Sequence, residues 1–328
     1  MTVSNKLASL LILGLAIVKF AIPYLLQHPV YELHRDEFLY LEQGHHLAWG
    51  YMEVPPMLSW LAWLTHFFGG SFFWVKFWPS FFGALTLIVS CRMVKEMGGN
   101  LFAIFITGIC IMFSSYLRVH FLFQANFLDI FWWSLSAYFI IRFINSDNIK
   151  YLYLIGFAFG CGWLAKNSVL FFVVGFAVTL ILTSHRKLYL NKHLYGAALL
   201  AFIIALPNIL WQYNHNWPLL HHMTELRETQ LKYLNPSDFL IDQLLMSVSA
   251  FFIWIMRLIW LFTKSGKNYR MLAWIFISVI ILLVLTSGKN YYSLGAYPVL
   301  YAAGAVALQQ WTTQRLKWLK WAVAAVIL

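Results

Sequence analysis

Charge is what this sequence has least of. Asp, Glu, Lys and Arg make up 11% of its 328 residues, against about 25% in an ordinary soluble domain. That scarcity excludes a water-solvated globule. Cysteine is nearly absent too. Cys91, Cys110 and Cys161 all lie within apolar stretches, which excludes a disulfide framework and reads as three buried small hydrophobes. No low-complexity tract, soluble domain or clear internal repeat interrupts the chain. Acids are scarcer than bases: 12 Asp and Glu stand against 23 Lys and Arg, for a formal charge of +11. The excess is no nucleic-acid footprint, because it falls in short loops between apolar segments, where it reports topology. What the sequence does have is apolar and aromatic residues, at 61% and 19%. The chain therefore reads as an all-α polytopic membrane protein.

A spanning helix needs about 20 mostly apolar residues. Candidates are 7–26, 71–91, 101–117, 124–143, 151–165, 167–184, 195–213, 239–263, 271–286 and 294–311. Residues 318–328 begin a further apolar run, so the C-terminal end reads as truncated or divergent. The run 7–26 is long for a signal peptide and lacks a small-residue cleavage site. It reads as a retained first helix, with Lys19 snorkelling at its outer end. With the N-terminus in the cytoplasm and alternating crossings, Lys6, Arg92, Lys95, Arg142, Lys150, Arg186, Lys187, Lys192, Lys264, Lys267, Arg270, Arg315, Lys317 and Lys320 all fall inside, while Glu96 and Asp147 are the acids that join them. The alternation requires 27–70 to be one external loop. Its apolar stretch 57–69 makes a helix only about 20 Å long, too short to span, and reads as an interfacial helix closed by Gly69-Gly70. A second external loop covers about 214–238. Its His215, His221 and His222 match no zinc-ligand spacing and read as part of a wet, aromatic-rich loop.

Four of the twelve acids, Glu32, Asp36, Glu37 and Glu42, crowd into the start of the first loop, in and around His34-Arg35-Asp36-Glu37. Charge beside hydrocarbon is costly and marks a candidate site. An external carboxylate at Asp36 can take a proton from an acceptor hydroxyl or amine; the plainer reading is a helix N-cap. Glu37 either orients Asp36, pairs with Arg35, or sits favourably in a first helical turn. Glu53 precedes Val54-Pro55-Pro56, and the prolines hold it in a defined place. Asp129, near the outer end of an apolar helix, wants Arg118, Lys166 or a metal as partner, or serves as a structural ion pair. Lys166 and Lys289 are cations on the acidic side, suited to an anionic lipid phosphate or else snorkelling. Arg257 lies in an apolar run and should face the bundle interior or a wet cavity.

These pieces resemble glycosyltransferase family 39, which includes dolichyl-phosphate-mannose protein mannosyltransferases and aminoarabinose transferases of lipid A. The resemblance is carried by His34-Arg35-Asp36-Glu37-Phe38-Leu39-Tyr40, His46-Leu47-Ala48-Trp49-Gly50-Tyr51 and Glu53-Val54-Pro55-Pro56. It continues through Asn126-Phe127-Leu128-Asp129 with Trp132-Trp133, Gly162-Trp163-Leu164-Ala165-Lys166, and Gly288-Lys289-Asn290-Tyr291-Tyr292 with Tyr297-Pro298. It implies a GT-C fold in one transmembrane domain over 1–328, with interfacial helices in the first external loop. It also implies a polyprenyl-phosphate-linked sugar donor and an inverting transfer on the outer face of a bacterial inner membrane, to a lipid, glycan or protein acceptor.

By the same resemblance Asp36 is the general base, with Glu37 and Glu53 as its catalytic companions. Arg35, Asp129, Lys166, Arg257, Lys289, Tyr291 and Tyr292 are expected to bind substrate. No cofactor is required, and a divalent metal is left open. Two departures stand out. Val54 occupies a position where some members carry His or Lys, which shifts phosphate binding to Lys166, Lys289 or Arg257. The family's frequent C-terminal extracytoplasmic domain has no counterpart in the sequence. The rival reading, a transporter or flippase of a lipid-linked precursor, calls for internal repeats and midplane sites, whereas charge here gathers at one surface.

Overall fold

The computed structural model describes residues 5–28, 30, 32–263 and 266–314. The apolar run 318–328 and the basic residues Lys264, Arg315, Lys317 and Lys320 lie outside them. Every regular element among the described residues is helical: α1 (Asn5–Leu26), α2 (Arg35–Glu42), α3 (Met57–Phe67), α4 (Phe72–Glu96), α5 (Leu101–Met112), α6 (Tyr116–Val119), α7 (Asn126–Ser146), α8 (Lys150–Ala165), α9 (Val169–Leu182), α10 (Lys192–Asn214), α11 (Pro218–Thr229), α12 (Pro236–Leu245), α13 (Phe251–Leu261), α14 (Arg270–Leu285) and α15 (Tyr297–Gln314), joined in places by 3-10 turns.

Among the described residues five helices, α1, α4, α7, α10 and α14 with its preceding turn, are long and apolar enough to cross a membrane; two bent pairs raise the number to seven. The expected span 239–263 is broken, by 69° between α12 and α13, whereas α9 runs unbroken inside the expected span 167–184 and turns by 108° into the 3-10 segment Ser184–Leu190 only at its end. The expected span 101–117 ends as an α-helix at Met112. In the first loop, α3 is an eleven-residue helix, as its length requires.

Two apolar clusters organise the bundle. The larger packs α1, α4, α5, α7, α13, α14 and α15 around Leu87, Ile106, Trp133, Tyr297 and Leu300, all essentially inaccessible. The smaller joins Val54, Leu58 and Ala62 of the first loop to Val75 of α4, Phe123, Phe127 and Leu128 around the start of α7, and Ala165 at the end of α8. This second cluster positions the site, because it fixes the loop bearing Asp36 and Glu53 over the ends of α7 and α8. Helices α8 and α10 approach so closely that a side chain at Gly156 would collide with the Ala197 carbonyl.

Lys19 does not snorkel. It is 1% exposed and donates to the carbonyls of Ile111 (3.5 Å) and Tyr116 (3.2 Å). The C-terminal end of α5 leaves carbonyls without helical partners, and a cation placed against them is favoured. At the far end of the bundle Arg142 pairs with Glu96 at 3.1 Å, and Asn145 donates to the Glu96 carbonyl while accepting from the Tyr269 hydroxyl, tying α4, α7 and α14 together.

Candidate active site

The site starts from a capped helix. His34 adopts an extended backbone, its Nδ1 accepts from the Asp36 N–H, and the Glu37 carboxylate accepts from the His34 N–H at 2.8 Å, so both termini of a capping box are present at the start of α2. The box sends Asp36 and Glu37 in different directions. Glu37 is fully buried. Lys76 of α4 approaches both its oxygens, at 2.6 and 2.8 Å, and the Phe123 N–H donates to Oε1 at 2.7 Å. Both oxygens are occupied, so Glu37 has no exposed edge for a substrate. Of the readings open for Glu37, orienting its neighbours fits this burial and direct contact with a substrate does not; its partner is Lys76 rather than Arg35.

Asp36 stays open, with its side chain 37% exposed. Gln124 Nε2 donates to Oδ2 at 3.1 Å, and Arg35 Nε donates to Oδ1 at 3.2 Å from a side chain that is itself 90% exposed. Gln124 sits one residue from Phe123, whose N–H is held by Glu37. The buried ion pair thus sets the register of the group that orients the Asp36 carboxylate. Asp36 is not the N-cap; His34 holds that position.

Glu53 is held by a second set of contacts. Gln43 donates to its Oε2 at 3.4 Å, and Tyr51 donates to the carbonyls of Gln43 and His46. Helix α10 clamps the loop from the side: Asn208 donates to the Trp49 carbonyl at 2.7 Å and accepts from Trp163 at 2.8 Å. Gly50 lies against the Trp211 and Asn208 side chains, where a Cβ would meet atoms at 2.5 and 2.8 Å. The Tyr40 hydroxyl feels both acids: burial, reinforced by the negative charges of Asp36 and Glu53, pushes its pKa up to about 12.

The cations arrive from the other side. Lys166, the residue capping α8, donates to Asn126 Oδ1 at 2.7 Å and lies 5.1 and 4.3 Å from the Tyr291 and Tyr292 ring centroids. Burial pulls its pKa from 10.5 to about 8, a fall opposed by Asp129 and deepened by Lys289. Lys289 is half-buried, which lowers its pKa, and the charge of Asp36 acts the other way. The hydroxyls of Tyr291 and Tyr292 are raised by burial. Asp129 is 3% exposed and accepts from Ser168 at 2.7 Å. Its charge acts on Lys166 and Tyr292; Oδ2 takes the Ser168 hydroxyl of the α8–α9 turn while Oδ1 is buried without a hydrogen bond among the described residues, so the carboxylate is closed off from solvent. Asp36, Glu53, Lys166, Lys289, Tyr291 and Tyr292 share one electrostatic neighbourhood.

Arg257 does not join them, contrary to expectation. It is fully buried at the opposite end of the bundle, its guanidinium 3.8 Å from the Trp260 ring centroid and Nη2 3.9 Å from Met97 Sδ. Met97 directly follows Glu96 at the far end of α4, so Arg257 lies at the end of the bundle remote from the acids. Sequence reasoning missed Lys76, Tyr40 and Gln43. The signal for Lys76 was a lone cation in the first turns of an apolar span, a placement that demands a partner. Among the described residues no three His, Cys, Asp or Glu side chains are grouped to hold a metal ion.

An apolar groove of about 500 Å³ runs along α8, α9 and α10. One end is formed by Trp163 and Val169, which flank Lys166, and the other by Leu180, Tyr189 and Tyr195.

Residues 53–211 match the family model of dolichyl-phosphate-mannose-protein mannosyltransferase. The lipid A galacturonosyltransferase RgtD of Rhizobium johnstonii is 24% identical over 302 residues, covering 87% of this chain and 61% of that protein. The chain thus spans about three-fifths of the length of this relative. In structure, ArnT from Cupriavidus metallidurans bound to undecaprenyl phosphate aligns with a TM-score of 0.75 at 16% identity, over 94% of this chain and 61% of that one. The Archaeoglobus fulgidus oligosaccharyltransferase AglB, in complex with an inhibitory peptide and a dolichol-phosphate, aligns at 0.64 with 11% identity, over 98% of this chain and 54% of that one. The chain has the all-α GT-C fold, and in sequence it is similar to the membrane glycosyltransferases of the dolichyl-phosphate-mannose-protein mannosyltransferase type.

Proposed function

We propose that this chain transfers a sugar from a polyprenyl-phosphate donor to an acceptor hydroxyl or amine on the extracytoplasmic face of the membrane, with inversion. The observation that carries the reading is an open, oriented carboxylate at Asp36 whose charge acts on Lys289, with Lys166 next in the same electrostatic chain and an apolar groove ending at Trp163 and Val169, the residues three before and three after Lys166 in sequence. A polyprenyl phosphate has two parts to be matched, a long apolar tail and an anionic head. The α8–α9–α10 groove suits the tail, and Lys166 with Lys289 suits the phosphate. Tyr291 and Tyr292 line the cation and offer hydroxyls to the same oxygens.

In this mechanism Asp36 accepts the acceptor's proton as its oxygen or nitrogen attacks the anomeric carbon from the face opposite the phosphate. The anomeric C–O bond breaks, the bonding pair leaves on the phosphate oxygen, and the two lysines stabilise the charge that develops there. Phosphate leaves readily without a strong general acid. Gln124 and the Glu37–Lys76 pair hold Asp36 in place, and Glu53 faces the acceptor. No step is assigned to a metal ion. The extracytoplasmic orientation rests on charge: Lys95, Arg142, Lys150, Lys187, Lys192 and Arg270 collect at the ends of the helices remote from Asp36.

Similarity to proteins whose names specify lipid A galacturonosyl transfer and undecaprenyl-phosphate binding supports the donor class. The test is incubation of the reconstituted protein with defined polyprenyl-phosphate sugars in sealed vesicles, following release of free polyprenyl phosphate. Donor-dependent release supports transfer. Movement of intact donor between leaflets with no release of its sugar would overturn it in favour of a flippase.

A further inference from the structure

A second cavity adjoins this site, and the mechanism above does not use it. It has a volume of about 300 Å³ and lies between the α11–α12 connection and the Gly288–Tyr291 turn, at the lower end of the size range of small-molecule sites. We propose that it is a saccharide subsite beside the phosphate-binding residues that takes an uncharged, hydroxyl-rich sugar. This proposal rests on the reading of the chain as a sugar transferase.

The chemistry of the lining is specific. Asp238 and Asp242 stand four residues apart on one face of α12, a like-charge spacing that costs a helix a few tenths of a kcal/mol. Neither forms an ion pair among the described residues. Asp242 accepts one hydrogen bond from Asn290 Nδ2 at 2.7 Å, and Asp238 accepts a long one of 3.3 Å from Asn235. Both carboxylates therefore keep accepting positions free, beside the amides of Gln230 and Asn235 and the ring of Tyr233.

The floor is rigid. Gln243 is 3% exposed; it donates to the Asn290 carbonyl at 3.3 Å and accepts from the hydroxyls of Ser293 and Tyr297. Asn290, and through it Asp242, is fixed before any ligand arrives, which lowers the ordering cost of binding.

The opposite wall is the site itself. Lys289 and Tyr291 line the cavity, and the charge of Asp36 reaches both. A molecule in the cavity thus lies against the two residues that separate it from the proposed base. Paired carboxylates and amides accept from and donate to vicinal hydroxyls, and an aromatic ring covers the apolar face of a pyranose. Two carboxylates against one lysine leave the pocket net negative, which disfavours a phosphorylated or carboxylated ligand.

The test is saturation-transfer NMR on the full chain in nanodiscs, with methyl α-mannopyranoside, methyl β-galactopyranoside and mannose 6-phosphate as probes. The neutral glycosides should receive saturation. Asp238→Asn/Asp242→Asn should weaken them by about tenfold or more, the loss expected for one charge-assisted hydrogen bond, while melting temperature and polyprenyl-phosphate binding stay at wild-type values. No saturation of either glycoside, an unchanged signal in the double variant, or preference for mannose 6-phosphate would each overturn the pocket. The readout needs no turnover, so it stands or falls separately from the transferase reading.

Discussion

Substituting Lys76 by Met tests how the active-site turn is held. In the wild-type protein the Glu37 carboxylate is fully buried and makes four close contacts: two from Lys76 at 2.6 and 2.8 Å, one from the Phe123 N–H and one from the His34 N–H. Lys76→Met removes the counter-charge and leaves the carboxylate buried with two neutral donors. Breaking one partner of a buried pair costs about 3–5 kcal/mol. Glu37→Gln strands Lys76, whose remaining neighbours are the rings of Phe72 and Phe121 at 5.2 and 4.3 Å, and should cost a similar amount. The double variant restores neutrality, although the His34 and Phe123 N–H groups bind different carboxylate oxygens and the Gln amide oxygen can accept only one of them; with both charges gone it should still recover about 2 kcal/mol relative to the sum of the singles.

Unfolding by sodium dodecyl sulfate in mixed micelles, followed by tryptophan fluorescence, reads all three variants. Turnover adds a second readout. His34 and Phe123 flank Asp36 and Gln124, so the single variants should lose kcat in the fraction that remains folded. A Lys76→Met cost below about 1 kcal/mol, or costs that simply add, would refute the idea that this pair anchors the site.

Three further outcomes follow from the same geometry. Lys166 binds phosphate only when protonated, and burial has brought its pKa down to about 8. Donor affinity measured by titration should therefore be flat below pH 8 and fall as pH rises through it, and Lys166→Met should be weak and flat throughout; an unchanged pH profile in that variant would remove Lys166 from the phosphate site. Gly156→Leu should separate α8 from α10 at a cost of about 1–3 kcal/mol, seen as a lowered melting temperature, and its tolerance at wild-type stability would contradict the close packing at Ala197. Arg257→Met should leave donor Kd within about twofold of wild type in a radioligand assay, because Arg257 packs on Trp260 at the far end of the bundle; a tenfold loss would return it to the site.

The parts of this molecule that could be read from the sequence are those with a local cause. Asp36 and Glu53 announce themselves by the cost of charge beside hydrocarbon, and the short helix α3 by the length of its apolar stretch. Lys166 and Lys289 stand out against the topology of the other basic residues. What the sequence hides is three-dimensional. Glu37 and Asp36 are adjacent and chemically alike, and only the capping box at His34, which turns one inward and the other outward, separates their roles. The partner of Glu37 lies 39 residues on, in a helix whose composition shows only that a lysine is out of place. Arg257 was misplaced because its charge was weighed without its depth: a place about 18 residues into the run 239–263 puts it about 27 Å along a helix, at the end remote from Asp36, where it packs on Trp260. Lys19 was read as snorkelling because the free carbonyls at the end of α5 that receive it belong to another element.

The central claim is that Asp36 takes the proton of the acceptor. Asp36→Asn keeps the shape of the side chain and an oxygen for Gln124, and removes the base. Measured on the reconstituted protein with a polyprenyl-phosphate sugar that the wild type consumes, the variant should bind donor with unchanged Kd and transfer about 10²–10⁴-fold more slowly. Transfer at the wild-type rate would contradict the account.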